Sequence, residues 1–122
     1  MGKINYDKTE EFEKDLKRLK RFKSLAEDLE TVKKNAIELY HLHKLDNQSC
    51  FPIPGCGDEN VQICKIKKFA CRVMKGKGNR SGIRAIYAYF PKIDKIVFIE
   101  IYNKGYKENE DKERINEFLK NV

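Results

Sequence analysis

The residues best suited to chemistry fall in one run, RVMKGKGNRSGIRAIYAYF at 72–90. It holds five basic residues (Arg72, Lys75, Lys77, Arg80 and Arg84) and three glycines, then enters a stretch of aromatic and branched residues. Lys65, Lys67 and Lys68 lie just upstream, and between 61 and 93 there are nine basic residues and no acid. A solvated face mixes its signs, so a one-signed segment of this length argues for a polyanionic partner whose phosphates or carboxylates it neutralises. The asymmetry is regional. Residues 1–60 carry eleven Lys/Arg against twelve Asp/Glu, residues 61–122 fifteen against seven, for a net charge of +7.

Three readings of the run compete. A phosphate-cradling glycine loop is excluded: GKGNRSG has its third glycine one residue late, and a strand follows where a helix N-terminus must stand. A plain hairpin turn accounts for glycines but leaves Lys75, Lys77 and Arg80 without a purpose. A nucleic-acid grip accounts for both. It would set Lys68 and Arg72 on one strand, a basic loop between strands, and Arg84 at the start of the next. Tyr87, Tyr89, Phe90, Tyr102 and Tyr106 then offer stacking surfaces, with Tyr102 and Tyr106 expected to be the exposed ones.

The elements that must position these residues follow from local pattern. KINYD reads as a first strand. Asp7 and Glu10 suggest a cap, and Phe12, Leu16, Leu19 and Phe22 recur at helical spacing. Ser24 and Glu27 form a second capping box ahead of a stripe of Leu25, Leu29, Val32, Ala36 and Leu39 or Tyr40. Residues 44–60 read as a long loop. Three strand-like runs follow, VQICKIKKFACRV, IRAIYAYF and KIVFIEIYN; the last is apolar on both faces and is the candidate central strand. Asn109 would cap a closing helix with Ile115, Phe118, Leu119 and Val122 on its stripe. The expectation is a single domain, 1–122, of the α+β class: an N-terminal strand and helical hairpin packed on an antiparallel sheet, with a C-terminal helix.

Four cysteines at C-x5-C-x7-C-x6-C, with His41 and His43 upstream of all of them, make a weak zinc signature, and no metal or cofactor is expected. Free thiols are the expected state, although Cys50 and Cys56 flank a FPIPG loop that a disulfide would close. No apolar run approaches the ~20 residues that span a bilayer, and MGKINYDKTEEF has the features of neither a signal nor a transit peptide. A cytoplasmic protein with no membrane contact is expected.

These motifs together resemble the RelE/ParE superfamily of toxins from type II toxin–antitoxin pairs. The resemblance spans nearly the whole chain. Its specific part is S-G-x-R-x-x-Y (Ser81, Gly82, Arg84, Tyr87) and I-Y-x-K (Ile101, Tyr102, Lys104), supported by the basic segment before them. It implies a metal-independent mRNA interferase acting on mRNA in the ribosome, with a cognate antitoxin as partner. It places the family's basic pair on Lys68 and Arg72, its sheet arginine on Arg84, its late basic residue on Lys104 and a late aromatic on Tyr106. Lys65, Lys67, Lys75, Lys77, Arg80 and Tyr102 would bind RNA around them. The gyrase-inhibiting ParE branch is the alternative within the superfamily, and a basic RNA- or protein-binding module without catalysis is the alternative outside it.

Chemistry can be set beside this. RNA cleavage needs a base for the 2′-hydroxyl, an acid for the 5′-oxygen and positive charge for the pentacoordinate phosphate. The C-terminal half contains no histidine, so Lys68 would be the base, its protonation disfavoured by Lys65, Lys67 and Arg72. Arg84 suits the phosphate as a fixed fork donor, and Lys104 serves as acid or clamp. Strict alternation puts Arg84 in phase with Ile86 and Ala88, so a bulge or strand start must turn it outward, unless it pairs with Glu100. An antitoxin that covers such a face is expected to do so with an acidic segment.

Overall fold

The computed structural model describes residues 3–74, 76–78 and 81–122. Lys75 and Arg80, two of the predicted RNA-binding residues, lie outside the described residues. A five-stranded sheet in the order β1-β5-β4-β3-β2 forms the middle of the molecule. β1 (Asn5–Lys8) runs parallel to β5 (Lys95–Asn103); β5, β4 (Ile83–Phe90), β3 (Gln62–Ile66) and β2 (Cys50–Gly57) are successively antiparallel. α1 (Glu10–Arg18) and α2 (Leu25–Val32) cover one face; α4 (Lys112–Lys120) lies on the other.

The alternation in IRAIYAYF decides the layering. Ile83, Ala85, Tyr87 and Tyr89 point to the helical hairpin and pack with Phe12, Leu25, Leu29 and Phe98. Ile86 and Ala88 point the other way and pack with Ile63, Ile99, Tyr102 and Ile115. Both faces are therefore dry, and the middle strand of the sheet is β4, with β5 beside it rather than at the centre.

Several local expectations are corrected. Thr9, not Asp7, caps α1, its hydroxyl accepting from Phe12 N at 3.1 Å. Ser24 precedes α2 but in helical backbone geometry, and its hydroxyl donates to Asp28 Oδ2 at 2.6 Å instead of closing a box with Glu27. Asp111, not Asn109, caps α4 by accepting from Arg114 N. α2 continues through a π-helical stretch, Lys33–Glu38, into a last turn, α3 (Leu39–His41). Wider π turns advance the buried stripe by five residues, so Ile37 and His41 are buried where Leu39 or Tyr40 was expected.

The 44–60 stretch is not all loop: Cys50–Gly57 is an edge strand, with Cys50 opposite Ile66 and Pro52 opposite Cys64. Pro52 and Pro54 are tolerated because an edge strand can leave its donor side unpaired. Gly57 makes the turn into β3. Its φ is +78°, and a Cβ there would stand 2.3 Å from the Val61 carbonyl oxygen. β3 also stops earlier than predicted, at Ile66. Just beyond it Lys67 N bonds the Ser49 carbonyl, and further along Arg72 N bonds Asp28 Oδ2 of α2 and Val73 N bonds the hydroxyl of Ser24, which precedes that helix. Lys68 and Arg72 are thus in the connection after β3, not on a sheet face.

Candidate nucleic-acid interface

One end of the sheet gathers the C-terminal ends of β3 and β5 and the start of β4. Ile83 lies opposite Asn103 and Arg84 opposite Tyr102, and a bond from Lys104 N to Gly82 O at 2.8 Å carries the pairing one step past the strands. Gly82 has φ +86° there, with the Asn103 Oδ1 close to where a Cβ would stand. The Ser81 hydroxyl donates to the Phe69 carbonyl and accepts from Ile83 N, which ties the segment after β3 to the start of β4. Asn103 then shapes the next turn: its side chain accepts from Gly105 N and its carbonyl from Tyr106 N and Lys107 N.

The predicted residues separate into two groups on this frame. Lys67, Lys68, Lys77 and Lys104 are exposed, Arg84 is half-buried, and among the described residues none of them forms an ion pair. Lys68 donates to the Gln48 amide oxygen at 3.4 Å, and Lys67 sits over the Phe51 ring at 4.7 Å. Arg84 follows the strict alternation; the bulge lies on β5, where Ile99 is the extra residue. Its guanidinium donates to the Ile83 carbonyl, while Glu100 receives Lys107 and Asp111 N, so the two do not pair.

The second group is already neutralised. Arg72 pairs with Glu27 and with Asp28, the latter at 3.1 Å, and these hydrogen bonds hold its guanidinium above the ordinary arginine range. Lys65 bonds Glu110 at 2.8 Å. Burial alone would lower its ammonium, but the Glu110 hydrogen bond and charge outweigh that and raise it. The same pairing lowers Glu110 against the opposing push of burial.

Tyr102, expected to be exposed, is buried; among the described residues its hydroxyl has no hydrogen-bond partner, and burial raises it while the nearby Lys65 opposes the rise. Its neighbour in the prediction, Tyr106, is 69% exposed. Tyr106 stacks with Arg21, whose guanidinium lies 4.6 Å from the ring centre.

Sequence reasoning missed a buried charged network beside this end. Asp15 holds Arg114 through two bonds, at 2.6 and 3.2 Å, and accepts from Ile101 N; Arg114 also donates to the Ile99 carbonyl. The signal was present: Asp15 falls on the stripe of Phe12, Leu16 and Leu19, and Glu100 interrupts an apolar strand. Acids in such places need partners.

His41 is a core residue, its Nε2 2.7 Å from the Tyr87 hydroxyl. Cys50, Cys64 and Cys71 are buried free thiols and Cys56 a half-buried one; burial pushes Cys50 up to about 11 and Cys64 to about 12. Among the described residues no cluster of three or more His, Cys, Asp or Glu side chains is arranged to hold a metal, and no helix is long and apolar enough to cross a membrane.

No family model matches the sequence, and no curated protein does. Among solved structures, the chain is similar to the archaeal RelE–RelB complex from Pyrococcus horikoshii OT3. The TM-score is 0.53 and the identity 10%, over 84% of this chain and 96% of that one. The architecture is a RelE-like α+β fold.

Proposed function

We propose that this protein is the toxin of a toxin–antitoxin pair and acts as a metal-independent mRNA endoribonuclease on the ribosome. The observation that carries the reading is a set of cations with no acidic partner among the described residues, Lys68, Arg84 and Lys104, at the end of a RelE-like sheet. Arg84 stands one strand from the turn that carries Lys104. In this reading Arg84 neutralises the phosphate as the 2′-hydroxyl attacks it and the 5′-oxygen leaves. In its neutral form Lys68 accepts the hydroxyl proton and Lys104 protonates the departing oxygen; of the cations expected to crowd Lys68, Lys65 and Arg72 are paired with acids, which leaves Lys67. Lys67 and Lys77 hold flanking phosphates, as Lys75 and Arg80 would. Arg72 and Lys65, tied to α2 and to Glu110, shape the segment rather than meet RNA.

The neighbouring structure is a complex of RelE with RelB, which supports an antitoxin as partner here. An acidic segment over the same cations would block the site by standing in for phosphate. Complex formation should therefore weaken sharply between low and high salt; salt-indifferent binding would count against an acidic inhibitor.

The test of the activity is mapping of mRNA 5′ ends after brief induction, with Arg84→Ala as control. New ends within translated codons, absent in the variant, are expected. Growth arrest without new ends would move the assignment to the gyrase-inhibiting kind of toxin. Neither arrest nor cleavage would leave a basic binding module.

A further inference from the structure

β1 covers β5 only from Lys95 to Phe98, so the rest of that edge of β5 is flanked by side chains instead of a strand. A cleft of about 370 Å³ opens there, between the last turn of α1 and the turn after Asn103. Its walls carry four cations, Arg18, Arg21, Lys107 and Arg114, against two acids, Asp15 and Glu100. Both acids are buried and engaged: Asp15 by Arg114 and Ile101 N, Glu100 by Lys107 and Asp111 N. Arg18 is mostly exposed and reaches Asp15 only at 3.4 Å. Arg21 has no acidic partner among the described residues. Its guanidinium carbon is 4.7 Å from the Phe22 ring centre and 4.6 Å from that of Tyr106, and it donates to the Tyr106 hydroxyl.

An exposed stack of a guanidinium on an aromatic ring, beside surplus positive charge, matches a ligand that is planar at one end and anionic at the other. That describes a nucleotide: a base lies on such a stack, and its phosphate meets the arginines. An acidic peptide would satisfy the charge and leave the stack unused. The cleft also adjoins the end of the sheet described above. Tyr102 and Asn103 of β5 line it, and they pair with Arg84 and Ile83 on the neighbouring strand. Adjacent strands are about 5 Å apart, less than the span of one nucleotide.

We propose that this cleft is a nucleotide subsite seating the base next to the phosphate held at Arg84 and Lys104, with Arg21 and Tyr106 as its stacking pair. The location relative to the cut rests on the endoribonuclease reading; the existence of the subsite does not.

The experiment uses the full chain and two probes. The first is uridine 5′-monophosphate, followed by amide chemical shifts. The second is a seven-residue oligonucleotide with 2′-deoxy substitution, followed by fluorescence anisotropy. Mononucleotide shifts should centre on Arg21, Asn103, Tyr106 and Lys107. Arg21→Ala should weaken oligonucleotide binding about tenfold, and Arg21→Lys, which keeps the charge but not the plane, should recover only part of it. Arg21 is exposed, so a spectrum otherwise unchanged verifies the fold of both variants.

Oligonucleotide binding that falls in Arg84→Ala but not in Arg21→Ala would overturn the subsite and leave the RNA reading intact. Mononucleotide shifts at the cleft in a protein that cuts no mRNA would keep the subsite and remove the endoribonuclease. Shifts raised by a polyglutamate peptide and not by the nucleotide, or by neither, would overturn the subsite.

Discussion

Acid should unfold this protein through His41. The imidazole is 4% exposed, its ring centre is 3.9 Å from that of Tyr89, and its Nε2 meets the Tyr87 hydroxyl at 2.7 Å. Burial, with the nearby Lys44 charge adding to it, lowers the pKa from 6.5 to about 4. The unfolded chain then binds a proton more readily than the folded one. The stabilisation from keeping His41 neutral is complete above about pH 6.5 and is lost as the pH falls toward 4. A drop of that size corresponds to roughly 3 kcal/mol in full, and about 2 kcal/mol by pH 5. Small domains are stable by about 5–15 kcal/mol, so the loss is large. The assay is urea unfolding at pH 7.5 and pH 5.0 of the wild type and of His41→Gln, which does not titrate. Carboxylates contribute equally to both, and the wild type should lose about 2 kcal/mol more. Equal losses, or an imidazole that titrates near 6.5 by NMR in the folded protein, would refute the reasoning.

Other outcomes follow from the same structure. Asp15→Ala strands the Arg114 guanidinium among buried groups and removes the acceptor of Ile101 N, and should cost about 3 kcal/mol in urea unfolding. A cost under about 1 kcal/mol would mean that water replaces the carboxylate. Gly57→Ala must accommodate a Cβ against the Val61 carbonyl at positive φ, and should lower stability by roughly 1–3 kcal/mol and depress the melting temperature. An unchanged melting temperature would show that the turn relaxes freely. Asp28→Ala removes the acceptor for Arg72 N and the Ser24 hydroxyl, so limited trypsin digestion should cut after Arg72 and Lys77 several-fold faster. Unchanged cleavage would show that Asp28 does not hold the basic connection.

The elements that were legible in the chain are those with a strong local period. The helical hairpin and the C-terminal helix repeat apolar residues at helical spacing, IRAIYAYF and KIVFIEIYN are near-continuous apolar runs of strand length, and all of them form where those patterns fall. β2 was hidden because its prolines argue against a strand everywhere except at an edge, and only the finished sheet makes an edge. β3 was read too long because FACRV alternates as a strand does. In the folded chain the ladder stops at Ile66, and the backbone donors of Arg72 and Val73 go to Asp28 and Ser24, more than forty residues away.

The site divides in the same way. That positive charge gathers in the second half, and that Arg84 opens the strand after a glycine-rich link, belongs to the sequence alone, because composition and alternation are local properties. Which cations remain free does not. Lys65 is spent on Glu110, Arg72 on Glu27 and Asp28, and Arg21 meets Tyr106 across 85 positions. Charge neutralisation and ring stacking depend on distance in space, and the chain sets that distance only once its strands have paired.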